Sequence, residues 1–190
     1  MRLVNRPICF VDVETNGGYG ENARIIDIGI VRIEKNVIVQ KLSQLVDPGD
    51  RIPPFIERLT GINNQQLGSS PTFRQVADEV SQILDGSIFV AHSAAFDYGM
   101  MSSEYRRIGE KFEYPVVCSA RLSRALFPDF RKHNLDSLID RHNLSVCNRH
   151  RGFDDAYAIW DFYKCCLRDF ELDVIEGAIY KQLRKQALFS

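Results

Sequence analysis

Apolar positions are dense at both ends of the strand register in the first stretch of this chain. Ile8, Phe10, Asp12 and Glu14 alternate with Cys9, Val11 and Val13. Apolar residues on both parities predict a strand over 7–14 that is covered on both faces. IIDIGIVRIE and NVIVQKLSQLVD follow as two β-rich runs with a short turn near Lys35, which predicts a hairpin and antiparallel pairing. Pro48 and Gly49 end it. The period then lengthens. IPPFIERLTGI has proline at a helix start and Gly61 past its end. In SPTFRQVADEVSQILDG, Phe73, Val76, Ala77, Val80, Ile83 and Leu84 keep helical spacing behind a capping sequence. SIFVAH reads as a short buried strand, and helices are predicted near 95–109, 119–127, 134–142, 153–168 and 172–187. Strands first, then strands alternating with helices, then helices, predict a mixed α/β sandwich around one sheet.

The length of 190 residues suits one domain with a sizeable core, so residues 1–190 are read as a single unit. The net charge of −1 excludes a large cationic field able to hold a long duplex, so a nucleic-acid partner would be gripped locally, by a few residues and a metal. Cys9, Cys118, Cys147, Cys165 and Cys166 form no CxxC pair and no zinc spacing. They predict reduced thiols in a cytoplasmic protein, most of them small core hydrophobes. The N-terminus has no long apolar stretch of a signal peptide, and no run approaches membrane-spanning length.

Candidate chemistry begins where the first strand ends. Asp12 and Glu14 share its parity, so two like charges face one way. Burying them bare costs several kcal/mol or shifts their pKa values, about as for any unpaired interior carboxylate. A polycation between them would remove the difficulty, and more ligands are then expected. In IFVAHSAAFDYGMM, Asp97 sits in the first turn of a helix and heads a line with Met101, Tyr105 and Ile108. A capping acid is the alternative reading. RHRGFDDAYAIWDFY offers two adjacent acids that helical phase separates. Asp154 aligns with Ala158, Asp161, Cys165 and Arg168, a mostly wet strip. Asp155 aligns with Ile159, Phe162 and Cys166, so Asp155 is the one expected inside. His150 lies five residues ahead of Asp155, before the helix; a surface or structural histidine is the plainer reading of it alone.

A D-x-E pair arises about once by chance in a chain of this composition, so the weight lies in order and context. Together the three stretches resemble the motifs of the DEDDh 3′–5′ exonucleases, the DnaQ-like family that includes the epsilon-type proofreading subunits of bacterial replicative polymerases. Phe10, Asp12, Glu14, Thr15 and Gly17 match the first motif, His92, Phe96 and Asp97 the second, and His150 and Asp155 the third. IPPFIERLTGI and CSARLSRALFPDFRKHNLDSL resemble intervening family segments, and the likeness covers roughly 7–170. Asn16, Ser93 and Gly152 stand where Thr, Asn and Ala are usual.

The resemblance implies a ribonuclease-H-like fold with a mixed five-stranded sheet, its first three strands antiparallel. It implies phosphodiester hydrolysis at DNA 3′ ends, single-stranded or frayed, releasing nucleoside 5′-monophosphates in proofreading or repair. Two divalent ions, Mg²⁺ or Mn²⁺, would lie about 3.5–4 Å apart. By the same resemblance Asp12 bridges both ions, Glu14 and Asp155 complete one site, Asp97 supports the other, and His150 is the general base, an imidazole with an ordinary pKa of about 6.5 being suited to that role near neutrality. Thr15, Gly17, His92 and Phe96 become candidate contacts to the terminal nucleotide, with core packing the alternative for Phe96. His133 is read as a structural hydrogen-bonding residue. An RNA exonuclease of the same superfamily and a non-catalytic nucleic-acid-binding module both remain open. Implied partners are nucleic-acid 3′ ends and a DNA polymerase or sliding clamp; KQALFS at the C-terminus resembles clamp-binding peptides, though its spacing is off by one. Lys181, Arg184 and Lys185 make the last helix locally basic. The family's nuclease also occurs as a module of longer proteins.

Overall fold

The computed structural model describes residues 6–17, 20 and 22–186. Lys185 and Gln186 lie in the last helix, but their side chains, and the rest of the clamp-like tail, fall outside the described residues. The chain forms β1 (Ile8–Thr15), β2 (Ile25–Glu34), β3 (Val37–Leu45), α1 (Pro54–Thr60), α2 (Asn64–Gly68), α3 (Phe73–Leu84), β4 (Ile88–Ala91), α4 (Ala94–Arg107), β5 (Val116–Cys118), α5 (Ser119–Leu126), α6 (Leu135–His142), α7 (Gly152–Asp169) and α8 (Leu172–Gln186).

The sheet has the order β3-β2-β1-β4-β5. The first three strands are antiparallel, and β4 and β5 run parallel to β1. It is the mixed α/β sheet the alternation predicts, with the five strands the family resemblance implies. The β2–β3 turn has only Lys35 and Asn36 in its loop, both with positive φ, as a two-residue hairpin of the right twist requires. The helix from Pro54 ends on Gly61 at φ 70°, and Thr72 and Gln75 make a capping box ahead of α3. Two short elements carried too little pattern to be placed from sequence: α2, held by an Asn63–Gln66 capping box, and the three-residue β5.

β1 is covered on both faces, as its composition demands. Cys9, Val11 and Val13 join one core with Phe73, Val80 and Ile83 of α3 and Met101 and Tyr105 of α4. Ile8 and Phe10 join the other with Ile159 and Phe162 of α7 and Ile175 and Ile179 of α8. The Phe10 ring lies 5.5 Å from that of Trp160. The outer edge of β5 is closed by α8. Gln182 accepts from the Cys118 N–H at 2.9 Å and donates to its carbonyl at 3.3 Å, doing with one amide what a sixth strand would do. All five cysteines are free; Cys9, Cys165 and Cys166 are buried and Cys147 is exposed. No helix among the described residues is long and apolar enough to cross a membrane.

Candidate active site

The site forms where β1 outruns its neighbour. β4 pairs with β1 only over Ile8–Phe10, so the end of β1 has no parallel partner on that side. The Val13 N–H is instead taken by Asp97 Oδ1 at 3.2 Å, from the first turn of α4. Asp97 is buried, as are Met101 and Tyr105 on the same line. Its position at a helix start serves the helix, yet its carboxylate points to the strand that carries Asp12 and Glu14. The crevice beyond the carboxyl ends of parallel strands is where α/β sheets usually place their sites.

α7 comes in from the other face. Its first residue, Gly152, lies on the β2 backbone: a Cβ on Gly29 would sit 1.9 Å from the Gly152 carbonyl carbon. Gly29 is the register partner of Asp12, so α7 starts directly beside the first acid. Helical phase then does what the sequence predicts. Asp155 is buried with Ile159, Phe162 and Cys166, while Asp154 stays half-exposed and accepts from Asn148 Nδ2 at 3.2 Å. The strip below Asp154 is drier than predicted, because Ala158 and Cys165 are buried against the body of the protein and only Asp161 and Arg168 keep open surface.

Glu14, His150 and Asp155 converge: one carboxylate oxygen from each acid and one ring nitrogen of the histidine lie within 4.8 Å of one another. His150 has φ 60°, and its N–H donates to Asp155 Oδ2 at 3.2 Å. Asp155 Oδ1 is buried with no hydrogen-bond partner among the described residues. Arg149 pairs with Asp155 through Nη1, and its Nη2 is anchored on Asp136 of α6 at 2.8 Å.

Electrostatics follows from this crowding. Burial, and then Asp97, Asp155 and Glu14, hold the Asp12 carboxyl well above the usual carboxylate range. Burial and Asp155 push Glu14 up to about 8. Burial pushes Asp97 up to about 7, against the Val13 hydrogen bond. Asp155 is raised by burial, with Arg149 pulling the other way. Four acids raised together, and a buried carboxylate oxygen left without a donor, are what a hard cation would relieve. The four acids offer carboxylate oxygens, which fit Mg²⁺ or Mn²⁺ and not a thiolate-seeking metal.

The candidate substrate residues divide. Thr15 is buried, just past a register shift between Glu14 and Thr15. Gly17 has φ 124°, a conformation side chains rarely adopt, and a Cβ there would meet the Phe55 ring at 3.4 Å. His92 is buried; its Nδ1 shares a 2.9 Å hydrogen bond with Ser119 Oγ, its Nε2 has no partner among the described residues, and burial lowers its pKa to about 4. Phe96 is half-buried against the first core and lines a groove of about 880 Å³ with His92, Ser93, Tyr114, Arg121 and Arg124. Phe96 therefore serves packing and lining at once. His133 is structural: its ring nitrogens meet Ser123 Oγ and the Phe130 carbonyl, each at 2.8 Å.

Asp27 and Arg149 at the site, and Glu104 farther along α4, carry no motif signal that marks them. Asp27 lies across from Glu14, fully buried, and accepts from Arg151 and from the Gly152 N–H. Arg149 reaches Asp155. Glu104, also buried, accepts from Arg24 Nε at 2.8 Å and from the Ile25 N–H at 3.2 Å, tying α4 to the start of β2. An acid at an inward position of an apolar strand, as in IIDIGIV, was the one available signal for Asp27.

The mixed five-stranded sheet, with acids clustered at the end of its first strand, has the ribonuclease-H-like architecture. The chain belongs to the RNase_T exonuclease family, whose model matches residues 9–163. It is 39% identical over 150 residues, 77% of this chain, to the 3′-5′ exonuclease DinG of Bacillus subtilis (strain 168), but spans only 16% of that protein. It is 32% identical over 157 residues to the DNA polymerase III subunit epsilon of Aquifex aeolicus (strain VF5), covering 81% of this chain and 77% of the subunit. The nuclease domain of 3′hExo, a DEDDh family member solved with rAMP, shares the fold at a TM-score of 0.73 and 19% identity, covering 87% of this chain and 93% of that one.

Proposed function

We propose that this protein is a divalent-metal-dependent 3′–5′ exonuclease that hydrolyses the terminal phosphodiester of single-stranded or frayed DNA and releases nucleoside 5′-monophosphates. The observation that carries the reading is the approach of Glu14, His150 and Asp155 to within 4.8 Å, from two segments more than a hundred residues apart in sequence. Asp12, Glu14, Asp97 and Asp155 would hold two metal ions, and His150 would be the base. Bound there, the ions would supply Lewis-acid activation and neutralise charge on the leaving 3′-oxygen.

The chain's own groups account for the rest. The His150 ring takes the proton of the attacking water, and its backbone bond to Asp155 ties its place to that of a metal ligand. The Asp97–Val13 bond fixes α4 to β1, so the two acids of β1 and the acid of α4 move as one body. Thr15 and Gly17 bring backbone close to the terminal nucleotide, and His92 and Phe96 border the path beyond it. Residues 1–190 are read as one exonuclease domain, a reading supported among the described residues by the packing of α8 on β5 and α5. Work in DNA replication or repair, beside a polymerase or clamp in the cytoplasm, is the role this reading assigns.

The test is stepwise digestion. Purified protein with Mn²⁺ is given end-labelled single-stranded DNA and RNA of one sequence. Mononucleotides from DNA in preference to RNA support the reading. Release from RNA alone makes the enzyme an exoribonuclease, and metal binding without release from either leaves a binding module.

A further inference from the structure

Asp27 sits on β2 opposite Glu14, 1% exposed. A carboxylate in such a place is costly, and Oδ1 has no hydrogen-bond partner among the described residues, so Oδ2 alone offsets the cost. Oδ2 accepts from Arg151 Nε at 2.9 Å and from the Gly152 N–H at 3.2 Å. Gly152 is the first residue of α7, and Arg151 at the N-cap gives its helix no side-chain cap. Asp27 thus caps α7 from another strand, answering one of the helix's free N–H groups with a negative charge at the positive end of its dipole.

The residue just before this clamp is His150. Its φ of 60° is a left-handed conformation that a residue with a side chain holds only when its surroundings impose it. The surroundings do so on both sides. The His150 N–H is held by Asp155, and the next two residues are held by Asp27. Gly152 cannot slide, because it rests on the Gly29 backbone.

We propose that Asp27 is a positioning residue for His150. Through Arg151 and Gly152 it locks the left-handed turn that aims the imidazole at Glu14 and Asp155. Asp27 touches no reacting atom and acts on His150 through residues 150–152. The inference rests on the reading of His150 as the base.

The experiment compares Arg151→Gln, Arg151→Lys, Asp27→Asn and His150→Ala in the full chain. Activity on single-stranded DNA is measured with Mn²⁺, and the His150 ring signals are followed by NMR without metal. Expected for Arg151→Gln and Asp27→Asn is a fall in kcat of about ten- to hundredfold, with KM nearly unchanged, as a misaimed reacting group produces. The His150 ring signal should split or broaden, and Arg151→Lys should recover part of the rate. Should Asp27→Asn fail to fold, Arg151→Gln, altered at a partly exposed side chain, carries the test. A His150→Ala protein as active as the parent overturns the base assignment itself. If His150→Ala is inactive while Arg151→Gln keeps the parental kcat, or loses it with the His150 signal unmoved, the positioning role is overturned.

Discussion

Gly29 and Gly152 touch backbone to backbone: a methyl on Gly29 would lie 1.9 Å from the Gly152 carbonyl carbon. The site depends on this contact, because it sets how near the start of α7 comes to Asp12. The departure from the family's usual Ala at position 152 belongs with it. A Cβ on Gly152 would meet Gly29 N at 2.8 Å and the Asp12 carbonyl at 3.0 Å. Gly29→Ala should cost about 3 kcal/mol in urea unfolding, the upper range for overpacking, and Gly152→Ala about 1 kcal/mol. Activity should fall further than stability in both, since α7 carries Asp155. A Gly29→Ala protein of parental stability would contradict the contact.

Helical phase separates the two neighbouring acids of α7. Asp155→Ala should lower the rate more than about a hundredfold, if Asp155 is the metal ligand proposed above. Asp154→Ala, which removes only the contact to Asn148, should keep most of it. The reverse order in a single-turnover assay would refute the assignment.

Arg149 pairs with Asp155, so an ion bound at the proposed site would have to displace or outweigh a guanidinium. Arg149→Gln should bind Mn²⁺ more tightly, on the order of tenfold, by removing one competing positive charge. Asp136→Asn, which frees the anchor of Arg149 without touching the site, should shift affinity the same way by less. Titration calorimetry reads both. Weaker Mn²⁺ binding by Arg149→Gln would show that the arginine assists the site.

Raised carboxyl pKa values give the metal-free protein a pH-dependent stability of definite sign. Glu14 rises from 4.5 to about 8 and Asp97 from 3.8 to about 7, so the folded state holds protons the unfolded state has lost. Stability from these groups is present at low pH and is lost as pH climbs through the folded values. His92, lowered from 6.5 to about 4, acts oppositely: the unfolded state binds the extra proton, and stability grows with pH until about 6.5. Between pH 6.5 and 8 the carboxylates alone should decide, and the Tm of protein in EDTA should fall across that window. Mn²⁺ should raise the Tm and flatten the slope. A chelated protein with a flat profile there would count against the acid cluster.

Much of the architecture was legible along the chain. The two-sided burial of β1, the β2–β3 hairpin, the capped helix from Phe73 and the inward phase of Asp97 and Asp155 are all periodic or capping signals, and each reappears in the fold. Elements that escaped are short or held from outside. α2 has five residues and β5 three, less than one clear period of either pattern. β5 exists because β4 offers it an edge and Gln182 closes its far side.

By itself, the order of residues determined which acids could meet, because side-chain direction within one strand or helix is a local property of backbone geometry. It put Asp12 beside Glu14, and turned Asp155 inward and Asp154 outward. Only the tertiary structure decided how near they come and what else joins them. Asp27 faces Glu14 through a strand register, Arg149 reaches Asp155 from a loop anchored on α6, and Asp97 finds a Val13 N–H left free because β4 is short. Such relations are distances between segments far apart along the chain, and a period of two or of 3.6 residues holds no information about them.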